Sequence, residues 1–268
     1  MPDSTIAFRF FSVPIYSLAL TVGIILSIGI GIRRSRLRVG TVIDLSLGAG
    51  VGSVIGARIA HVLLNWPYFA DNLNEALHPS AGGLDWHGAV IGGLIGLALV
   101  AAVRRLKLRD LLDTLSPALP LLALAGWFGC WAAVCGYGAE VSTLAYYPAF
   151  AVAETRDVYG IIAPRYNTQL FGMALAFVVL IVSFALIRLG WLKYRRFWGL
   201  LALLSAGMFV IGFFRGDYAL DIAGLRADQV LDVVFFLWGL GLSLYPKGEG
   251  SSSPQPSDRE MRGETNSA

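Results

Sequence analysis

The chain has 268 residues, of which 56% are hydrophobic and 15% charged, against about 25% charged in an ordinary soluble domain. Long uncharged stretches alternate with short basic ones. The net charge of +3 therefore reads as membrane orientation and not as nucleic-acid binding.

A membrane span needs about 20 mostly apolar residues. In chain order the candidates are 13–32, 43–64, 86–103, 115–134, 171–187, 197–214 and 227–244. The first is too long for the apolar part of a signal peptide, so it is expected to stay in the protein. Basic residues test this count. Arg33, Arg34, Arg36 and Arg38 follow the first candidate, and Arg104, Arg105, Lys107 and Arg109 follow the third. Arg188, Lys193, Arg195 and Arg196 follow the fifth, and Lys247, Arg259 and Arg262 follow the seventh. The alternate segments hold only Arg9, Arg156, Arg165, Arg215 and Arg226, and Arg58 lies within a span. This alternation predicts an all-α membrane protein of seven transmembrane helices, with the N-terminus outside and the C-terminus cytoplasmic. Residues 1–245 form the membrane domain. The Gly-Ser-Pro-rich stretch 246–268 is expected to be a disordered cytoplasmic tail.

The outer loops, 66–85 and 137–168, are rich in aromatics, as suits the membrane interface. Gly48, Gly52 and Gly56 in the second span and Gly88, Gly92 and Gly96 in the third repeat every four residues, which predicts a close helix–helix seam. Cys130 and Cys135 fit neither a CxxC nor a paired zinc pattern and read as two small core residues. No metal site or organic cofactor is indicated.

Ionisable groups within spans are functional candidates. Arg58, in GARIAHV, either snorkels outward or holds a lipid phosphate through bidentate hydrogen bonds. His61, nearly one turn further out, reads as structural and His78 as solvated. His87, in DWHGAVIGG, stands at the outer boundary beside Gly88, which leaves access open. Its imidazole suits a general base or a headgroup anchor. Arg215 in GFFRGD and Arg165 in PRYNTQL fall at the same face, so three arginines and a histidine form an anion-binding arrangement. The chain contains no phosphate loop, HExxH, GxSxG or paired-carboxylate site.

These segments together resemble one family. WHGAVIGG resembles the HGG segment of prolipoprotein diacylglyceryl transferases, and GARIAHV stands where they carry a GARLGYV-like stretch. VPIYSLAL, PRYNTQL, FVIGFFRGD and ADQVLDVV resemble further segments, in order, over roughly residues 10–245. The resemblance implies a multi-pass protein of the bacterial plasma (inner) membrane. It implies transfer of a diacylglyceryl group from phosphatidylglycerol to the cysteine thiol of a lipobox-containing preprotein, with glycerol phosphate leaving. On it, His87 is the base or headgroup anchor, Tyr16 lines the lipid site, and Arg58 and Arg215 hold anionic groups. Arg165 and Gln169 shape the outer mouth, with Gly88 and Gly138 beside the substrate.

The chain departs from the family pattern at four positions. The signature segment reads Gly126-Trp127-Phe128-Gly129-Cys130-Trp131 before Tyr137-Gly138, with Trp127 in place of an arginine. A second arginine and the glutamate after it become Met208 and Gly212, and another glutamate becomes Gly172. Neither tryptophan nor methionine replaces a guanidinium's charge or donors. Two accounts follow: a divergent transferase that uses Arg58, Arg165 or Arg215 instead, or a catalytically silent paralogue that binds a phospholipid or lipidated peptide in the same cavity. An unrelated transporter is disfavoured, because the charges gather at one face and no inverted repeat is apparent.

Overall fold

The computed structural model describes residues 5–7, 12–77 and 83–244. Arg9, His78, Lys247, Arg259, Arg262 and the tail 246–268 lie outside the described residues.

The chain is mainly helical. After a short hairpin of β1 (Thr5–Ala7) and β2 (Ser12–Pro14), the helices α1 (Ile15–Arg34) and α2 (Val39–Leu64) lead to two single turns, α3 (Trp66–Phe69) and α4 (Leu73–Ala76). Then come α5 (Trp86–Val103), α6 (Leu108–Leu115) and α7 (Ala118–Ala133), a hairpin of β3 (Val152–Arg156) and β4 (Ile162–Tyr166), and α8 (Thr168–Leu189). Helix α9 (Arg196–Gly212), a hairpin of β5 (Asp221–Ile222) and β6 (Leu225–Arg226), and α10 (Ala227–Leu244) complete the described residues.

Five of these helices are long and apolar enough to cross a membrane, and α6 with α7 adds a sixth if that pair, bent by 50°, is one span. Helix α9 is apolar but shorter, at 17 residues. The expected span 115–134 thus crosses a break at Ser116–Pro117. Proline has no N–H to give and crowds the preceding turn, which ends α6 there. Large apolar side chains face outward, as with Ile25, Leu47 and Leu99, each more than 60% exposed. That surface suits lipid and not water.

Small residues face inward. Along α2 and α5 the glycines meet in antiparallel register. A Cβ at Gly52 would lie 2.2 Å from the Gly92 carbonyl oxygen, one at Gly56 2.3 Å from that of Gly88, and one at Gly96 2.0 Å from that of Gly48. Only hydrogen fits between these backbones. Helices α1 and α7 also pack antiparallel, with Gly23 against Ala125 and Gly129 against Tyr16. The first residues of α1, α5, α8 and α10 therefore share one end with the last residues of α2, α7 and α9.

The basic residues of the opposite end are tied into the fold. Arg196 Nη1 donates to Asp113 Oδ2 at 2.8 Å, Asp113 Oδ1 accepts from Tyr194 N–H at 2.8 Å, and Arg34 Nε donates to the Thr114 carbonyl at 3.0 Å. These bonds join α1, α6 and α9.

Candidate active site

His87 sits in the first turn of α5, and Asp85 is its N-cap. Asp85 Oδ1 accepts the Gly88 N–H at 2.9 Å, as short polar side chains do where helical donors are unsatisfied. The Asp85 N–H donates to Ala57 O at 3.1 Å, which pins the segment to α2. Burial alone would raise the Asp85 carboxyl. The hydrogen bond and charge of His87 and the Gly88 N–H outweigh it and hold the group below its ordinary value. The imidazole of His87 is 1% exposed. Its Nε2 lies 3.1 Å from Asp232 Oδ1 on α10, and its Nδ1 lies 3.4 Å from Asp85 Oδ2. Gly88 faces α2, where an added Cβ would meet Gly56 O at 2.3 Å and Ala60 Cβ at 2.5 Å. It is a packing residue here, and it opens no path to His87.

Beyond the segment 83–85 is a cavity of about 340 Å³ lined by Arg58, His61, Asn65, Tyr68, Phe69, Glu75 and Gly83. The Arg58 guanidinium donates to the carbonyls of Ala76 at 3.0 Å, Gly83 at 3.1 Å and Glu75, and lies over the Phe69 ring. It is directed at the loop residues 75, 76 and 83. The Glu75 carboxylate accepts from the Tyr68 hydroxyl at 2.7 Å.

A small sheet covers the other half of this end. Strand β4 pairs with β3 and, on its other edge, with residues 139–141, through Val141 N–H to Pro164 O at 2.8 Å and Tyr166 N–H to Ala139 O at 3.2 Å. Residues 214–216 extend it, with Ala139 N–H to Phe214 O and Gly216 N–H to Tyr137 O, both 2.8 Å. Gly138 is needed for this approach, since a Cβ there would lie 2.0 Å from Tyr166 O.

The sheet holds Arg165 and Arg215. Arg165 Nη2 meets Asp157 at 3.0 Å and Glu140 at 3.5 Å, and its guanidinium covers Tyr137. Arg215 Nη1 meets Asp228 at 2.8 Å, and its Nε and Nη2 meet Asp217. Arg226 contacts the same two aspartates, closing a ring of two cations and two anions. Burial would lower the Arg215 guanidinium, but Asp217 and Asp228 more than offset that and hold it above its ordinary value. Arg165 and Arg215 thus arrive already paired with carboxylates.

Tyr16 packs on Gly129. Thr168 Oγ1 donates to Gly136 O at 2.6 Å and Gln169 Nε2 to Cys135 O at 3.2 Å, so the start of α8 grips the turn that ends α7. Cys130 and Cys135 are joined as a disulfide in this turn. The two cysteines, read from the sequence as small core residues, are thus covalently joined: the left-handed residue Val134 folds the chain back and brings Cys135 to Cys130.

The profile of the prolipoprotein diacylglyceryl transferases matches residues 4–245. The chain belongs to that family. It is similar to the phosphatidylglycerol–prolipoprotein diacylglyceryl transferase of Clostridium novyi (strain NT), with 30% identity over 88% of this chain and 93% of the relative. It is also similar to those of Nocardia farcinica (strain IFM 10152), 30% identical over 90% of this chain and 52% of the relative, and Staphylococcus aureus (strain Newman), 25% identical over 87% and 85%.

Family membership gives meaning to the four replaced positions. Trp127, 8% exposed, lies on Gly172, where an added Cβ would be 2.1 Å from the indole. The positions where the resemblance sets an arginine and a glutamate are therefore neighbours, and here one large and one minimal residue fill the space together. Met208 packs with the apolar cluster of Val179, Leu200 and Leu204, while Gly212 gives room to the Gln229 side chain.

Sequence reasoning missed Asp85, Asp157, Asp228 and Asp232. A signal was present for Asp232, a carboxylate in the interior of an apolar span. Asp85 stands two residues before His87, where a helix cap is expected.

Proposed function

We propose that this chain is a diacylglyceryl transferase acting on phosphatidylglycerol and on the cysteine thiol of a lipobox-containing preprotein. The match to the family over residues 4–245 carries this reading. The gathering of His87, Arg58, Gln169 and Tyr16 at one end of the bundle supports it.

In the reaction the thiol loses its proton to His87. The sulfur attacks the glyceryl carbon that bears the phosphate, a C–S bond forms, and the C–O bond to phosphate breaks. Glycerol phosphate leaves with the electron pair. The thiolate is the effective nucleophile, and the leaving phosphate gathers negative charge that fixed donors stabilise. Arg58 is the cation assigned to the headgroup, since it lines the cavity. Arg215 and Arg165, balanced by aspartates, order the mouth with Gly138 and Gln169, and Tyr16 borders the lipid chains.

The chain crosses the bacterial plasma membrane seven times, with α9 as a short sixth span, its N-terminus outside and its C-terminus in the cytoplasm. The site end faces outward. A disulfide at that end supports this orientation, because disulfides persist outside the reducing cytosol.

The test uses purified protein in nanodiscs containing phosphatidylglycerol, incubated with a lipobox peptide. The wild type is expected to form thioether product, and His87→Ala and Arg58→Ala to lose at least about 100-fold in rate, as for removal of one transition-state donor. Product formation undiminished in His87→Ala would overturn the assignment of the base. Absence of product from folded, lipid-binding wild type would overturn the transferase reading.

A further inference from the structure

His61 lines the same cavity as Arg58 and has one donor to spare. Its Nδ1 lies 3.4 Å from Asn65 Nδ2, one turn on in sequence, and the same amide nitrogen donates to His61 O at 2.9 Å. That second bond fixes the amide's orientation, because an oxygen in its place would face the carbonyl. The amide therefore donates to Nδ1 as well, and a neutral imidazole that accepts at Nδ1 carries its proton on Nε2. Among the described residues Nε2 has no hydrogen-bond partner. The ring is half-buried and stands edge-on to Phe69, with centroids 5.8 Å apart. A Cβ at Gly83 would lie 2.2, 2.5 and 2.8 Å from Nε2, Cδ2 and Cε1. These similar distances put Gly83 over the face of the ring and leave the Nε2–H edge uncovered.

The same lining holds Glu75, an exposed residue whose Oε2 accepts from the Tyr68 hydroxyl at 2.7 Å. Its Oε1 has no partner among the described residues. At about 340 Å³ the cavity falls at the small end of ligand sites, about 300–1,000 Å³, with room for a headgroup but not for two acyl chains. A hydroxyl both donates and accepts, so neighbouring hydroxyls match an N–H and a carboxylate together. An ammonium accepts nothing and leaves the Nε2–H unmatched beside Arg58. We propose that His61 and Glu75 are specificity residues that read the glycerol end of the phosphatidylglycerol headgroup. His61 Nε2–H donates to one hydroxyl and Glu75 Oε1 accepts from its neighbour, while Arg58 meets the phosphate.

The inference rests on the transferase reading, and its test separates the two. Full-length protein is assayed with a lipobox peptide in nanodiscs of graded phosphatidylglycerol content in phosphatidylcholine. His61→Phe keeps a ring against Phe69 and loses the donor. Its KM for phosphatidylglycerol should rise about 3- to 10-fold, the worth of one hydrogen bond. Its kcat should stay within about threefold, as for a contact made equally in ground and transition states. His61→Gln, which restores an N–H, should recover part of the loss, and Glu75→Ala should raise KM similarly. A wild-type KM in His61→Phe or in Glu75→Ala would overturn the proposal. A second arm needs no turnover: nitrogen-15 NMR of histidine-labelled protein, with His61→Gln to assign the signal. Glycerol phosphate should shift the His61 Nε2 resonance, and ethanolamine phosphate at the same concentration should not. Equal shifts from the two, or none, would overturn the proposal. This arm still decides if His61→Phe fails to fold, or if the wild type makes no thioether and the transferase reading alone fails. A shift with glycerol phosphate beside an unchanged KM would make the cavity a site for the released product and overturn the claim on the donor lipid.

Discussion

Substituting Gly92 by alanine tests whether the α2–α5 seam holds the site in place. The new Cβ would lie 2.1 Å from the carbonyl oxygen of Gly52, where ordinary contact begins at 3.4 Å, so the helices must part by about 1 Å. Overpacking of this kind destabilises by about 1–3 kcal/mol. Parting the seam also carries His87 on α5 away from the Arg58 cavity on α2, and a 1 Å misplacement of reacting groups costs about 10²-fold in rate. Gly50→Ala is the control: it lies on α2, the other helix of the seam, and its Cβ would meet nothing within 4 Å. Alanine there is neutral or stabilising by up to about 1 kcal/mol through helix propensity. The assay is thermal unfolding in detergent together with transferase rate in nanodiscs. Equal melting temperatures and rates for the two variants would refute the seam as the device that positions the site.

Three further outcomes are expected. Asp113→Ala leaves the buried Arg196 without its carboxylate and should destabilise by about 3–5 kcal/mol, read as a lower melting temperature; an unchanged one would remove this pair as the tie between α6 and α9. Asp85 is held below its ordinary value of 3.8, so its stabilising contribution is complete above that pH and is lost as pH falls through its lower folded-state value. Asp85→Asn should flatten the acid limb of a stability-versus-pH curve below about pH 4, and an acid limb identical to that of the wild type would contradict the role given to its contacts. Trp127→Arg and Gly172→Glu should each destabilise alone, since a lone charge enters a packed neutral site. The double variant should recover at least about 1 kcal/mol relative to the sum, as for contacting residues; simple additivity would show that the two positions do not act as a pair.

The glycine seam was legible because its four-residue repeat is local and needs no knowledge of the partner helix. Five of the expected spans, and a sixth if α6 and α7 are one, were legible for the same reason, being contiguous apolar runs. The break at Pro117 was not read, because apolar residues continue on both sides and hydropathy averages over it. Arg165 and Arg215 lie at the end of the bundle where His87 lies. Their pairing was hidden, since Asp157, Asp228 and Glu140 reach them only through hairpins and sheet edges. His87 looked accessible beside a glycine, yet Gly88 is directed into α2 and the imidazole is shut between Trp86 and Phe235. The disulfide depends on a left-handed turn at Val134, a conformation that a β-branched residue does not advertise.

The most direct measurement is mass spectrometry of a lipobox peptide after incubation with the purified full-length protein in phosphatidylglycerol nanodiscs. The account predicts a peptide heavier by one diacylglyceryl group, attached through the cysteine sulfur, with glycerol phosphate released in equal amount. An unmodified cysteine from folded protein that retains phosphatidylglycerol would contradict it.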